Sequence, residues 1–311
     1  VSMFRRVLLA ASGSDRVRQL VVATPPTRRV VDRFVAGERP GDALDVARRL
    51  AGDGIAATVD RLGEGGADLA SARESTAAYL GLLDLAEDAG LSGGLDVSVK
   101  LSALGRLVPD GGRKICYENA AEICARAAAV GATVTIDAEE HASVEAAHEV
   151  LADLRRDHPA TGAVVQAYLR RGVDDCRRLA VAGSRVRLCK GAYRAPRDVA
   201  WTRRAEVDAA YARCLGVLMA GAGYPMVATH DPRLLALAAR LAQEYGRPAG
   251  SFEYQLLHGV RPHEQLRLAS LGAQVRVYLP YGPDWYPYLL RRMAERPANL
   301  ALFVRALRSR A

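Results

Sequence analysis

Along the chain, short apolar or β-branched runs end in Gly, Asp, Lys or His and give way to Ala-, Leu- and Arg-rich stretches of helical period. Eight such runs read as strands: Ile55–Asp60, Leu95–Leu101, Ala132–Asp137, Ala163–Leu169, Arg185–Lys190, Met226–His230, Phe252–Leu257 and Gln274–Leu279. Successive runs start about 22 to 41 residues apart, which leaves room for one helical crossover between parallel strands. Most of them look like near-continuous hydrophobic runs, the pattern of strands covered on both faces. Eight units in roughly 250 residues predict an α/β fold, a (βα)8 barrel of the TIM type. A doubly wound open sheet is the alternative, but it gives no reason to stop at eight. Before Ile55, helix-forming pieces from Arg5 to Gly52 are broken by Pro25, Pro26 and Pro40. The expected division is a helical arm over 1–54 and a catalytic barrel over 55–311.

In such a barrel the chemistry gathers at the C-terminal ends of the strands. Those ends carry Asp60 and Glu64, Lys100, Asp137 with Glu139 and Glu140, Gln166 and Tyr168, Arg187 and Lys190, Thr229 and His230, Glu253 and Gln255, and Arg276 and Tyr278. One polar strand end is ordinary, a solvated terminus or a salt bridge. Eight together predict a polar-lined pocket over an apolar plug. In the last helical stretch, Tyr288, Arg291, Arg292 and Glu295 fall on one stripe of a helix. The bland reading is an internal ion pair, Arg291 with Glu295 at i,i+4, worth only tenths of a kcal/mol. Facing the barrel mouth, the two guanidinium groups would instead clamp a carboxylate with paired hydrogen bonds.

Composition narrows the class. The 311 residues are 50% hydrophobic and 25% charged, an ordinary globular balance. No apolar run reaches the length of a spanning helix, and Val7–Ala11 is too short for a secretory core, so neither an integral membrane protein nor a secreted one is expected. Five scattered cysteines without a CxxC pair suggest neither a disulfide framework nor a zinc site, and a cytoplasmic setting is the default. The net charge of +8 is almost all arginine. It reads either as a solvated surface or as a patch for anionic lipid headgroups; no basic run interleaves with aromatics, so nucleic acid is not expected. The only lysines are Lys100, Lys114 and Lys190, and two of the three sit at strand ends, where a compact ammonium differs from a planar guanidinium. No Gly-x-Gly-x-x-Gly fingerprint, Walker loop, HExxH helix or Gly-x-Ser-x-Gly elbow occurs, and no metal site is expected.

The segments VSVKLSALG (97–105), TIDAEEH (135–141), VVQAYLRR (164–171), VRLCKGAY (186–193), ATHD (228–231), FEYQLLHG (252–259), VYLPYG (277–282) and YLLRRMAE (288–295) resemble, in order, those of proline dehydrogenases. The resemblance is to the monofunctional bacterial enzymes and to the matching part of bifunctional proline-utilisation proteins. It implies a distorted (βα)8 barrel that uses flavin adenine dinucleotide (FAD) to oxidise L-proline to Δ1-pyrroline-5-carboxylate and passes the electrons to a membrane quinone. Peripheral association with an anionic membrane would follow from such an acceptor. Position by position, it implies that Arg291 and Arg292 bind the proline carboxylate beside Lys100, and that Asp137 lies near the substrate and orients Lys100. Arg187 would approach the flavin N5 edge. Ala138, Gln166, Lys190, Gly191, Ala192, Tyr193, Thr229, His230, Glu253 and Gln255 would hold FAD. Tyr278 and Tyr288 would wall the proline ring, and Glu64 would pair with Arg291 on closure. Two readings of other classes compete: a Schiff-base lyase or aldolase using Lys100 or Lys190 as nucleophile, and a non-enzymatic basic protein that binds polyanions through its arginines.

Overall fold

The structure, a computed structural model, describes residues 31–63 and 68–289. Helix α1 (Pro40–Gly52) leads into eight strands, β1 (Ala56–Arg61), β2 (Leu95–Val99), β3 (Thr133–Ile136), β4 (Ala163–Gln166), β5 (Arg185–Cys189), β6 (Tyr224–Ala228), β7 (Glu253–Leu257) and β8 (Val275–Tyr281). Seven helices connect them: α2 (Leu69–Asp88), α3 (Gly112–Ala129), α4 (Val144–Asp157), α5 (Gly172–Leu179), α6 (Arg204–Ala220), α7 (Pro232–Glu244) and α8 (Pro262–Ser270). All the strand pairings are parallel, in the order β3-β2-β1-β8-β7-β6-β5-β4. The remaining seam is bridged where Thr135 pairs with Gly162, with Ile136 N–H donating to Gly162 O at 2.9 Å and Gly162 N–H to Val134 O at 2.8 Å. The sheet thus comes round on itself, and the expected (βα)8 barrel is the observed fold.

Each predicted strand is present, with ends shifted by a few residues. The largest difference is at β4, which stops at Gln166 instead of Leu169. Beyond it the chain turns and pairs with the loop before α6: Leu169 bridges Ala200, and Arg170 N–H donates to Val199 O at 2.9 Å. Helix starts follow local chemistry. Asp68 caps α2 by accepting from Ser71 N–H, and Asp231 caps α7 by accepting from Arg233 N–H, with Pro232 in the first turn where its missing donor costs nothing.

The plug of the barrel is not apolar. The strands alternate: Leu95, Val97, Val99, Val186, Leu188, Tyr254, Leu256, Val275, Val277 and Leu279 join the helices in one large hydrophobic core. The residues between them turn the other way. Asp96 on β2 takes hydrogen bonds from Arg185 Nη1 and Arg187 Nη2 on β5, each at 3.2 Å, although β2 and β5 are not neighbours in the sheet. Those bonds must cross the lumen. Glu253 on β7 likewise accepts from Arg276 on β8 at 2.9 Å and from Gln255 at 2.6 Å. A lumen filled with paired charges needs alternating strands, so the expectations of continuous hydrophobic runs and of an apolar plug are both corrected.

Helix α1 packs its Ala43, Leu44, Val46 and Ala47 into the same core as the strands. A smaller cluster joins Phe34, Val35 and Leu62 to Trp285, Tyr286, Tyr288 and Leu289 just after β8. Trp285 Nε1 ties this cluster to Glu38 Oε1 at 2.8 Å. No helix among the described residues is long and apolar enough to cross a membrane.

Candidate active site

The strand ends bring Lys100, Asp137, Arg187, Gln255 and Tyr278 into one network. Tyr278 Oη donates to Asp137 Oδ2 at 2.9 Å, and Arg187 Nη1 lies 3.7 Å from Asp137 Oδ1. Arg187 also donates from Nε to Gln255 Oε1 at 2.7 Å, from Nη1 to Ser98 Oγ at 2.8 Å and from Nη2 to Asp96. Its guanidinium carbon stands 5.1 Å from the centre of the Tyr278 ring. A planar fork with each nitrogen occupied is held in a single orientation, which a lysine could not reproduce.

Lys100 has a second and nearer carboxylate beside the expected Asp137. Its Nζ donates to Asp60 Oδ1 at 2.5 Å, whereas Asp137 Oδ2 lies at 3.9 Å. Sequence reasoning placed Asp60 at a strand end and went no further, and it overlooked Asp96 altogether. Both were detectable as carboxylates inside otherwise apolar strand runs, on the same alternation that carries Thr58 and Ser98. Asp96 accepts from Thr58, Thr133 and Thr135 as well as from the two arginines.

The electrostatics follow from this alternation of charge. Burial alone would push the Asp96 carboxyl up, but Arg185, Arg187 and Arg276 together outweigh it and hold the group below the ordinary carboxylate range. Burial opposes the charge on Lys100, yet Asp60 and Asp137 reverse the shift and keep the ammonium protonated. Asp60 is itself pushed upward by burial, against the pull of Lys100. Burial, then the neighbouring Asp137 and Asp60, raise Tyr278 well above its usual value, so it remains a neutral phenol and a donor.

Several more of the expected residues lie around this centre. Ala138 N–H donates to Asp137 Oδ1 at 3.2 Å. Gln166 donates from Nε2 to Glu139 O at 3.3 Å, while its buried Oε1 accepts nothing among the described residues. A buried acceptor without a donor is costly, and a bound group offering an N–H would satisfy it. Lys190 Nζ is paired with Asp208 and, at 3.4 Å, with Asp231. Gly191 has φ +96, and a Cβ there would stand 2.1 Å from Tyr168 Cδ1, so only glycine lets the chain pass this ring. Thr229 Oγ1 accepts from Asp231 N–H at 3.2 Å, and His230 Nε2 accepts from Leu257 N–H at 2.9 Å, which fixes that ring nitrogen as unprotonated.

Some expected residues are elsewhere. Glu253 sits deeper in the lumen with its oxygens taken by Gln255, Arg276 and Tyr224, where it steadies Gln255. Ala192 and Tyr193 are on an exposed loop after β5. Tyr288 is buried in the cluster beside Phe34 and Leu62. Glu64, Arg291 and Arg292 lie outside the described residues.

A sequence profile of the proline dehydrogenase family matches residues 43–305, most of the chain. The chain belongs to the proline dehydrogenase family. It is 35% identical over 307 residues to the proline dehydrogenase of Deinococcus radiodurans, covering 98% of each. It is 32% identical over 305 residues to proline dehydrogenase 1 of Bacillus subtilis, covering 98% of this chain and 99% of that one. Among solved structures, it resembles proline utilization A from Bdellovibrio bacteriovorus inactivated by N-propargylglycine, with a TM-score of 0.81 at 25% identity. That similarity covers 94% of this chain and 36% of the larger protein. A member of this family is an oxidoreductase acting on proline.

Proposed function

We propose that this protein oxidises L-proline to Δ1-pyrroline-5-carboxylate with FAD as the acceptor, handing the electrons to a membrane quinone. The observation that carries the proposal is the network of Lys100, Asp137, Tyr278 and Arg187 at the strand ends of a chain in this family. Removing a hydride from C5 of proline requires an acceptor that no side chain provides, and bound FAD supplies it.

The residues present fit such a group. Gln166 offers a buried acceptor in want of a donor, and Lys190 and Gly191 give a cation beside backbone that no Cβ crowds. With Ala138, Ala192, Tyr193, Thr229, His230, Glu253 and Gln255 they would hold FAD, directly or through a neighbour. Arg187, locked by Asp96, Ser98 and Gln255, would offer bound FAD a fixed positive charge, which favours the reduced form of such a group. As the family resemblance implies, Arg291 and Arg292 would clamp the substrate carboxylate with Lys100 beside them, Tyr278 and Tyr288 would wall the ring, and Glu64 would pair with Arg291. Their work is orientation.

The geometry disfavours a Schiff-base lyase. Lys100 is tied to Asp60 and Lys190 to Asp208 and Asp231, and either ion pair would have to break before its amine could attack a carbonyl. A lipid-soluble acceptor also gives the +8 charge a use, as peripheral docking of a cytoplasmic protein on anionic lipid. The test is L-proline-dependent reduction of an artificial dye by the FAD-loaded protein. Turnover with proline and none with NAD as acceptor is expected; no proline-dependent reduction would refute the proposal.

A further inference from the structure

The mouth of the barrel holds two carboxylates, Asp60 and Asp137, and one ammonium, Lys100, within reach of both. Their surroundings differ. Asp137 is well provided for: Oδ2 accepts from Tyr278 Oη, Oδ1 accepts from Ala138 N–H, and Arg187 stands near. Asp60, the penultimate residue of β1, has its Oδ1 against Lys100 Nζ at 2.5 Å. Its side chain is 4% exposed, against 17% for Asp137, so water can solvate Asp137 but not Asp60. Parallel pairing sets Asp60 level with Ser98, two residues before Lys100, which brings the ammonium back over the Asp60 carboxylate.

We infer that Asp60 is the positioning residue and counter-ion of Lys100, and that Asp137 is left to position Tyr278. This divides the labour between the two carboxylates. The Asp60–Lys100 pair fixes where the ammonium stands and is the main support of its charge, with Asp137 at 3.9 Å adding less, because a buried carboxylate stripped of its partner is strongly disfavoured. The Asp137–Tyr278 bond fixes the phenol against Arg187. What Lys100 then does to a substrate rests on the function proposed above; the pairing itself does not.

Lysine reactivity separates the two carboxylates, and this chain suits the experiment because Lys100, Lys114 and Lys190 are its only lysines. Lys114 is an exposed reference, with a side chain 79% accessible. Among the described residues, the groups acting on Lys100 include Asp60 from β1, Asp137 after β3 and Tyr79 from α2, with Tyr278 from β8 bonded to Asp137. The full-length, FAD-loaded protein is acetylated at pH 9 with a limiting N-hydroxysuccinimide ester, and each lysine is followed by peptide mass spectrometry.

Lys100 should be strongly protected in the unaltered protein. In Asp60→Asn its rate relative to Lys114 should rise about tenfold for each unit by which its pKa falls, and Asp60→Glu should restore protection. In Asp137→Asn the relative rate should stay within about threefold. In the same variants, kcat/KM for proline should gain a basic limb in Asp60→Asn and not in Asp137→Asn. Equal or greater unmasking of Lys100 in Asp137→Asn would overturn the assignment, as would unchanged protection in Asp60→Asn. Should Asp60→Asn fail to fold, the Asp137→Asn labelling decides alone: retained protection supports the assignment and lost protection overturns it. If the protein labels as expected but never oxidises proline, the functional proposal fails and the pairing stands.

Discussion

Arg187 on β5 reaches across the barrel lumen to Asp96 on β2, Nη2 to Oδ2 at 3.2 Å, and Arg185 approaches the other oxygen of the same carboxylate at the same distance. Asp96 is fully buried, and three threonine hydroxyls complete its shell. The pairs at the active end are therefore founded on a charge one layer below, and the loss of that charge would be felt above it.

Asp96→Ala removes the buried carboxylate that Arg185 and Arg187 share and leaves Arg187 the more distant Asp137, at 3.7 Å. Breaking a buried pair from one side costs about 3–5 kcal/mol. Urea unfolding should show a loss of that size, with Asp96→Asn falling between it and the unaltered protein. A change under about 1 kcal/mol in Asp96→Ala would mean that Arg185 and Arg187 find other partners.

Gly191→Ala meets both a left-handed φ and the Tyr168 ring. The strain should cost about 1–3 kcal/mol of stability. Because the displaced loop carries Lys190, FAD retention should fall more than stability does. Equilibrium dialysis of flavin alongside thermal unfolding checks this; unchanged stability would show that the loop relaxes freely.

Acid stability should depend on His258. Burial holds its pKa below the usual 6.5, and Arg49 lowers it further, against a backbone carbonyl of Asp32 that raises it. The folded state thus prefers the neutral ring. The stability this contributes is fully present above pH 6.5 and is lost as pH falls through the lower folded value. Tm should decline from pH 6.5 to 5, and His258→Gln should flatten that slope. Identical slopes in the two proteins would assign the acid lability to other groups.

Much of this architecture was legible along the chain. The eight strands were visible because each ends in a polar residue ahead of a helical stretch, and parallel crossovers set their spacing. Lys100, Asp137, Arg187, Gln255 and Tyr278 could be brought together because a barrel gathers its strand ends. The lumen was misjudged for a physical reason. Runs such as LDVSVKL and RVRLC hold apolar residues at every second position, facing the helices, and a small or paired polar residue between them is easily counted as part of a hydrophobic run. Asp96 was lost in that way. The nearer partner of Lys100 was missed because distance along the chain cannot separate Asp60 from Asp137; only the barrel's stagger puts one at 2.5 Å and the other at 3.9 Å.

The central claim is that this barrel mouth delivers the electrons of L-proline to a flavin. Its most direct test is an anaerobic titration of the FAD-loaded protein with L-proline, followed by flavin absorbance. The account predicts stoichiometric bleaching by L-proline, recovery of the colour on adding a quinone, and no recovery on adding NAD. A flavin that binds and stays oxidised under excess L-proline would contradict it, as would a protein that retains no flavin at all.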